Sequence, residues 1–365
     1  MCYLKRRTLI TVAQKRLFLI AAGLVIAILA SSCAGSSQAT PTTSSVHTSN
    51  SFNASDNILI SDQFNNRVVE VAPNGHVVWT FGSGNPKLCN PGQGAIIGLN
   101  DAERLSGGLT LLAGTGIPAG SQSFPKGCAD NRVIVVNQQG QIVWQYGQAG
   151  VSGSGPNELN TPVFAIQLPS RNIMVVDQGN NRVIEIDRNS KQIVWSYGPK
   201  SGPGALNNPN SAEWLPNGHI LIGDENNNRV IEIARDGSIV GVYNQGLSGA
   251  AFASRLPNGD TLITDSSHSR VLDVTPNKKM LFEYFTNSDQ ASNSAPLPTN
   301  AVQLSNGEII IADQFNNRVM IVNPAMQFQY GTINVTGNGP NQLNGPYTAY
   351  VIGDYTGQTP PPPTF

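Results

Sequence analysis

Few side chains of this chain could do chemistry, and those that could recur in one kind of segment. Short apolar runs with an alanine three positions before a leucine, as in Ala165 to Leu168 and Ala212 to Leu215, carry polar groups between their apolar ones. One copy brings Asn100, Asp101, Glu103 and Arg104; another brings Asn210, Glu213 and Trp214; two more bring Arg255 and Asn300. Carboxylates set among amides can hold a divalent cation through oxygen ligands, or a sugar through hydrogen bonds. The plainer role for Glu103 and Arg104 is to solvate an opening that they border. Nucleophilic and phosphate chemistry lack their motifs: there is no Gly-x-Ser-x-Gly elbow, phosphate loop or clustered cysteine set.

A louder repeat lies between these segments. Asp-x-x-Asn-x-Arg-Val runs from Asp62 to Arg67, Asp177 to Arg182, Asp224 to Arg229 and Asp313 to Arg318. A variant from Asp265 to Arg270 has His268 and Ser269 in place of the asparagines, and Asp130 to Val133 keeps only the second half, with Arg132. The six arginines are 65, 50, 47, 41 and 48 residues apart, the spacing of a propeller or a similar array. Loop construction accounts for the motif. The aspartate accepts turn amides, the asparagines tolerate left-handed backbone, and the arginine reaches back to the aspartate or to loop carbonyls.

The elements that position these residues read as short strands. Residues 162–198 show the plan: an apolar strand to Leu168, a turn, Ile173 to Val176, the motif, Arg182 to Ile186, a second turn, and Ile193 to Gly198. Four antiparallel strands make one blade. The last strand carries a spaced aromatic pair: Trp79/Phe81, Trp144/Tyr146, Trp195/Tyr197, Phe282/Tyr284 and Phe328/Tyr330. In the remaining copy Gly241 replaces the first aromatic and Tyr243 stands alone. Such a stripe belongs to inter-blade packing. The small alanine of the first strand, at 102, 165, 212, 253 and 301, suits a crowded inner position. The first repeat lacks that strand, while 339–349 echoes 155–165 at the far end of the chain. The expectation is an all-β, six-bladed propeller of four-stranded blades, closed by the C-terminal strand joining the N-terminal blade.

Asp-x-x-Asn-x-Arg-Val after a Leu-Pro-Asn-Gly turn resembles the NHL-repeat six-bladed propellers, and Gly-x-Ile-Val-Trp-x-Tyr-Gly resembles repeats of the aryl sulfotransferase-like propellers. The resemblance covers residues 57 to about 353 and implies the fold. NHL-type propellers include peptide-amidating lyases and binding modules, so the fold does not choose a function. The enzyme readings place several histidines at the channel. Here His47 precedes the repeats and His76 and His219 follow turn glycines of the opposite face, leaving His268 alone on the face of the motif loops. Both enzyme readings are therefore demoted.

One repeat departs from the rest. Where the others have five residues from Asp to Arg, Gly114 to Arg132 spans 18. The added 114–131 segment, rich in Gly and Pro, carries Cys128, and the long connection before this blade carries Cys89. Both loops belong to one face, so a Cys89–Cys128 disulfide is expected in an exported chain, worth about 2–4 kcal/mol. That face is where a protein, peptide or glycan ligand is expected.

The ends set the compartment. A basic start, the 14-residue apolar run Leu17 to Ala30, and Ser31-Ser32-Cys33 resemble a bacterial lipoprotein signal. Residues 1–32 would be removed and Cys33 lipidated. Residues 33–56 form a Ser/Thr-rich tether, 57–353 the propeller, and 354–365 a Pro-rich tail. Loss of the signal leaves 17 basic against 23 acidic residues, without a basic stripe, which argues against nucleic acid. The reading is a monomeric binding or scaffold module of the cell envelope, touching the membrane through its lipid anchor alone. No cofactor is expected. The alternative is an extracytoplasmic hydrolase or lyase with a divalent cation on the strand carboxylates.

Overall fold

The computed structural model describes residues 51–354, apart from Gln93 and 121–123. The signal, Cys33 and nearly all of the tether and the tail lie outside the described residues. Six four-stranded antiparallel sheets form the ring of a six-bladed propeller. Blades 2 to 6 each follow the chain from an inner strand A to an outer strand D. Their A strands are Leu99–Arg104, Pro162–Gln167, Pro209–Trp214, Ala250–Arg255 and Pro298–Gln303. Blade 1 takes strand A from the C-terminus: Pro346–Val351 pairs with Ile58–Asp62, with Ile58 opposite Val351 and Ile60 opposite Ala349. The ring is closed as the complementary defects at the two chain ends imply.

Strand periodicity explains why the blades stack. Alternate side chains point to opposite faces, and a blade of four strands cannot bury both faces by itself. In blade 2, Leu111, Ala113, Val133 and Val135 pack with Ile173, Val175 and Ile184 of blade 3. Their neighbours Leu112, Ile134 and Val136 pack with Leu59, Val68 and Phe81 of blade 1. The inner-strand alanines, with Ala349 as the sixth, are all at most 1% exposed, because adjacent inner strands leave room for no larger group there.

The motif loops tie the ring together. In blades 1, 3, 4 and 5 the aspartate's Oδ1 accepts a backbone N–H from the loop leading into its own blade: Asn344, Asn160, Asn207 and Ser248, at 2.6–2.8 Å. Its Oδ2 accepts the arginine Nε at 2.7 Å in the same four loops. The last residue before the arginine is left-handed, with φ of 52–57° at Asn66, Asn181, Asn228, Ser269 and Asn317. The side chain of that asparagine crosses to the next blade. Asn66, Asn131, Asn181, Asn228 and Asn317 accept N–H from Gly98, Thr161, Asn208, Gly249 and Gly345 at 2.8–2.9 Å. Each donor immediately precedes an A strand, so the asparagines latch one blade to the next.

Candidate functional site

The described residues of the 114–131 segment pair as the two arms of a hairpin. Strands B and C of blade 2, Thr110–Ile117 and Cys128–Val136, run past their counterparts and pair Gly116 with Ala129 and Ile117 with Cys128. Ile97, Ile117 and Cys128 form a small buried cluster, with Leu88 and Phe124 packed against it. The Cys89–Cys128 disulfide joins the outermost pair of this hairpin's ladder to the loop before the blade. Burial of a few apolar groups would hold so small an excursion weakly, and the covalent link compensates.

The hairpin overhangs a 530 Å³ pocket at the mouth of the central channel. The residue directly after the motif aspartate lines this mouth in blades 1, 3 and 4, as Gln63, Gln178 and Glu225, and Thr115 does so in blade 2. The equivalent residues of blades 5 and 6 are Ser266 and Gln314. These side chains form a chain of polar contacts: Gln314 Nε2 donates to Gln63 Oε1 at 2.6 Å, and Gln63 Nε2 donates to Asn100 Oδ1 at 2.7 Å. Thr115 and Ser266 instead donate to the carbonyls of Pro162 and Pro298 on neighbouring blades. Glu225 is the one acid of the set. Burial alone raises its carboxyl to about 7. Across the mouth, the Tyr347 hydroxyl donates to Asn210 Oδ1 at 3.0 Å, and burial followed by the charge of Glu225 pushes its pKa upward. Asn160 and Asn208 complete an amide-rich wall. Such a pocket can exchange hydrogen bonds with neutral polar groups and place one proton-sharing carboxyl against them.

The strand-A polar residues divide into three destinations. Asn100 faces the mouth pocket, and Asn210 reaches it through Tyr347. Asp101 and Glu103 lie deeper, each 1% exposed. Their carboxylates accept the backbone N–H groups of Ala165 and Gln167, both at 3.0 Å. Glu213 accepts Arg255 N at 2.6 Å, and Asn300 accepts Ala349 N at 3.2 Å. The physical cause is the free edge of the inner strand. Strand A has no fifth strand to pair with, so its inward amides need acceptors, and the preceding blade supplies them as side chains two residues apart. Arg104, Trp214 and Arg255 end their strands and turn into the wedge against the preceding blade.

Solvation of the mouth by Glu103 and Arg104 is therefore corrected. Glu103 caps blade 3, and Arg104 is buried between Phe52 and Trp79 with Nη2 2.6 Å from Glu70. His268 takes the place of the first motif asparagine, its Nδ1 2.9 Å from Asp265 Oδ2, and its side chain is half exposed. Among the described residues no group of three His, Cys, Asp or Glu is placed to hold a metal ion. The charge of Asp101 acts on Glu103 two residues along the same strand. Burial raises Asp101 to about 7, and burial followed by the charge of Asp101 raises Glu103 well above the usual range. Glu225 is among the mouth residues that composition and spacing did not single out, with Gln63, Gln178, Asn208 and Tyr347. The signal for Glu225 was its place directly after the motif aspartate, where the other full copies have Gln or Ser and this one alone has an acid.

Comparison with known proteins supports the architecture. The chain matches no protein-family model and no curated protein sequence. A crystal structure of a protein of unknown function from Bacteroides caccae superposes with a TM-score of 0.58 at 12% identity, covering 81% of this chain and 98% of that one. A chain of a nidogen/laminin complex gives 0.54 at 10% identity, covering 80% and 97%. The virginiamycin B lyase of Staphylococcus aureus gives 0.45 at 13% identity, covering 65% and 70%. At such identities the first two show a likeness of fold alone.

Proposed function

We propose that the protein is a binding module of the NHL-like kind, which takes a small neutral polar ligand, a glycan or a peptide segment, at the channel mouth. The observation that carries this reading is the composition of the 530 Å³ pocket: amides from several blades, a single acid in Glu225, and a disulfide-stapled hairpin as one wall. Amides held on short loops between the strands suit recognition of hydroxyl and amide groups. Isothermal titration with neutral oligosaccharides and with short uncharged peptides tests it. Saturable binding, weakened at least tenfold in Asn208→Ala and lost on reduction of the disulfide, is the expected result. Wild-type affinities unchanged in both would overturn it.

The cell-envelope setting belongs to the same proposal. Glu70 accepts the amide of Asn53 and the side chain of Asn57, so the described end of the tether is clamped at the A–B turn side of blade 1, opposite the mouth. A chain anchored through Cys33 would then leave the mouth unobstructed. Cys33→Ala should release the protein from the membrane fraction; retention there would remove the anchor from the reading.

The hydrolase or lyase reading draws on Glu225 alone, whose pKa near 7 suits a general acid or base. Calcium or magnesium titrated against the wild type and Glu225→Gln separates the two readings. A metal-dependent rise in melting temperature that is lost in Glu225→Gln would favour the enzyme.

A further inference from the structure

Three outer strands place a tryptophan in the wedge between their blade and the next. Each indole donates Nε1–H to a carbonyl in the C–D turn of the following blade: Trp79 to Gln138 at 2.8 Å, Trp144 to Arg188 at 2.8 Å, and Trp195 to Arg235 at 2.9 Å. Phe282 and Phe328 fill the same place without the donor. Blade 4 has Gly241 there, cross-strand from Glu232 as Trp79 is from Glu70 and Trp195 from Glu185. The space that a side chain would fill is a 410 Å³ cleft bordered by Gly241, Tyr243, Val274 and Lys278. The carbonyl in register with the three indole acceptors, two residues after strand C, is that of Pro276, also at its wall.

The platform beneath the missing ring is intact. In the wedge of blades 1 and 2, Arg104 pairs with Glu70 and its guanidinium carbon lies 5.0 Å from the Trp79 ring centroid. In the wedge of blades 4 and 5, the equivalent Arg255 pairs with Glu232 at 2.8 Å, with no aromatic ring over it among the described residues. The first pair is fully covered, by Trp79 and Phe52; the second is 29% and 15% exposed. A positive planar group thus faces the position where the ring face, carrying negative charge density, sits in the filled wedge. The outer strand Ile239–Tyr243 also has an unpaired edge, with Val240 half exposed. A partner strand paired to that edge presents the residue opposite Gly241 on the cleft's side.

We propose that this cleft is a receptor slot for the tryptophan side chain of an extended partner peptide, with the indole stacked on Arg255 and its N–H directed to the Pro276 carbonyl. The slot is separate from the channel mouth and does not depend on it. Backbone conformation allows the slot to be filled from within. Gly241 lacks a positive φ, and an added Cβ meets Glu232 Cβ at 3.4 Å, an ordinary contact.

The test is a titration of isotope-labelled wild-type protein with a blocked pentapeptide of four threonines around a central tryptophan, followed by amide shifts. Saturable shifts at Tyr243, Val274 and Lys278 are expected, with affinity about fivefold lower for the 1-methyltryptophan peptide, which lacks the donor. Gly241→Trp should melt at a higher temperature and bind at least tenfold more weakly. Gly241→Phe should block as well, and stands in should the larger ring prevent folding. Equal affinity for the methylated peptide, undiminished binding by the folded variants, or shifts confined to the channel mouth would each overturn the proposal.

Discussion

The carboxyl carbon of Asp130 lies 2.7 Å from the point where a Cβ on Gly114 would stand. Gly114 occupies the register position of the motif aspartate, opposite Arg132. Asp130, at the foot of the hairpin's returning strand, fills the vacated volume with its own carboxylate. It accepts Arg132 Nε at 2.6 Å and the backbone N–H of Ile97 at 2.7 Å, the bonds the missing aspartate would have made. The hairpin thus extends the blade without removing the hub of its loop.

The substitution has a cost that can be measured. Asp130→Ala leaves the Arg132 guanidinium, 3% exposed, without its buried partner and should destabilise by about 3–5 kcal/mol. Gly114→Ala should also destabilise, since its methyl meets both Asp130 and Ile96 within 3.0 Å. Urea unfolding midpoints of the two variants measure both effects. A midpoint for Asp130→Ala within error of the wild type would remove Asp130 from this role.

Ring closure predicts a large effect from a small truncation. Removing residues 346–365 strips strand A from blade 1 and exposes the edge of Ile58–Asp62, together with the faces that Ala349 and Tyr350 cover. The melting temperature should fall by more than 10 °C, and light scattering should reveal association through the opened edge. A truncated chain that melts like the full one would contradict the closure.

Blade 5 has the weakest inter-blade latch. Ser269 holds the left-handed position at φ 57° but has no amide to reach the residue before the next A strand, Leu297, itself at φ 54°. Ser269→Asn should supply the acceptor that the other five blades have, and stabilise by about 0.5–1.5 kcal/mol. Thermal denaturation of this single variant is the measurement, with no gain counting against the latch.

The Asp101 and Glu103 pair makes stability depend on pH. Burial holds both carboxyl groups above their ordinary values, Asp101 at about 7. An acid whose folded pKa is raised binds its proton more tightly when folded, so its contribution is complete below about pH 4 and is lost as pH rises through about 7. The melting temperature should therefore fall between pH 5 and 8. In Asp101→Asn/Glu103→Gln, where amide oxygens still accept the N–H groups of Ala165 and Gln167, the fall should be shallower. The same slope in both proteins would assign the dependence elsewhere.

Much of this molecule was legible in one dimension because repetition exposes its own exceptions. Six copies of a loop motif, an unpaired first repeat and a spare last strand require a closed ring of six blades, since each blade buries its faces only against neighbours. Two cysteines in long loops of one face are enough to imply their bond. What the polar residues of the inner strands do depends on a neighbour that is distant in sequence. Asp101 meets Ala165, Glu213 meets Arg255 and Asn300 meets Ala349 only because curvature brings one blade's side chains against the next blade's free amides. Glu225 becomes a mouth residue for the same reason, and Gly241 becomes a vacancy only beside Arg255. Local pattern specifies strands and turns through short-range sterics and burial. The environment of each polar group is set by contacts between blades, which only the closed ring creates.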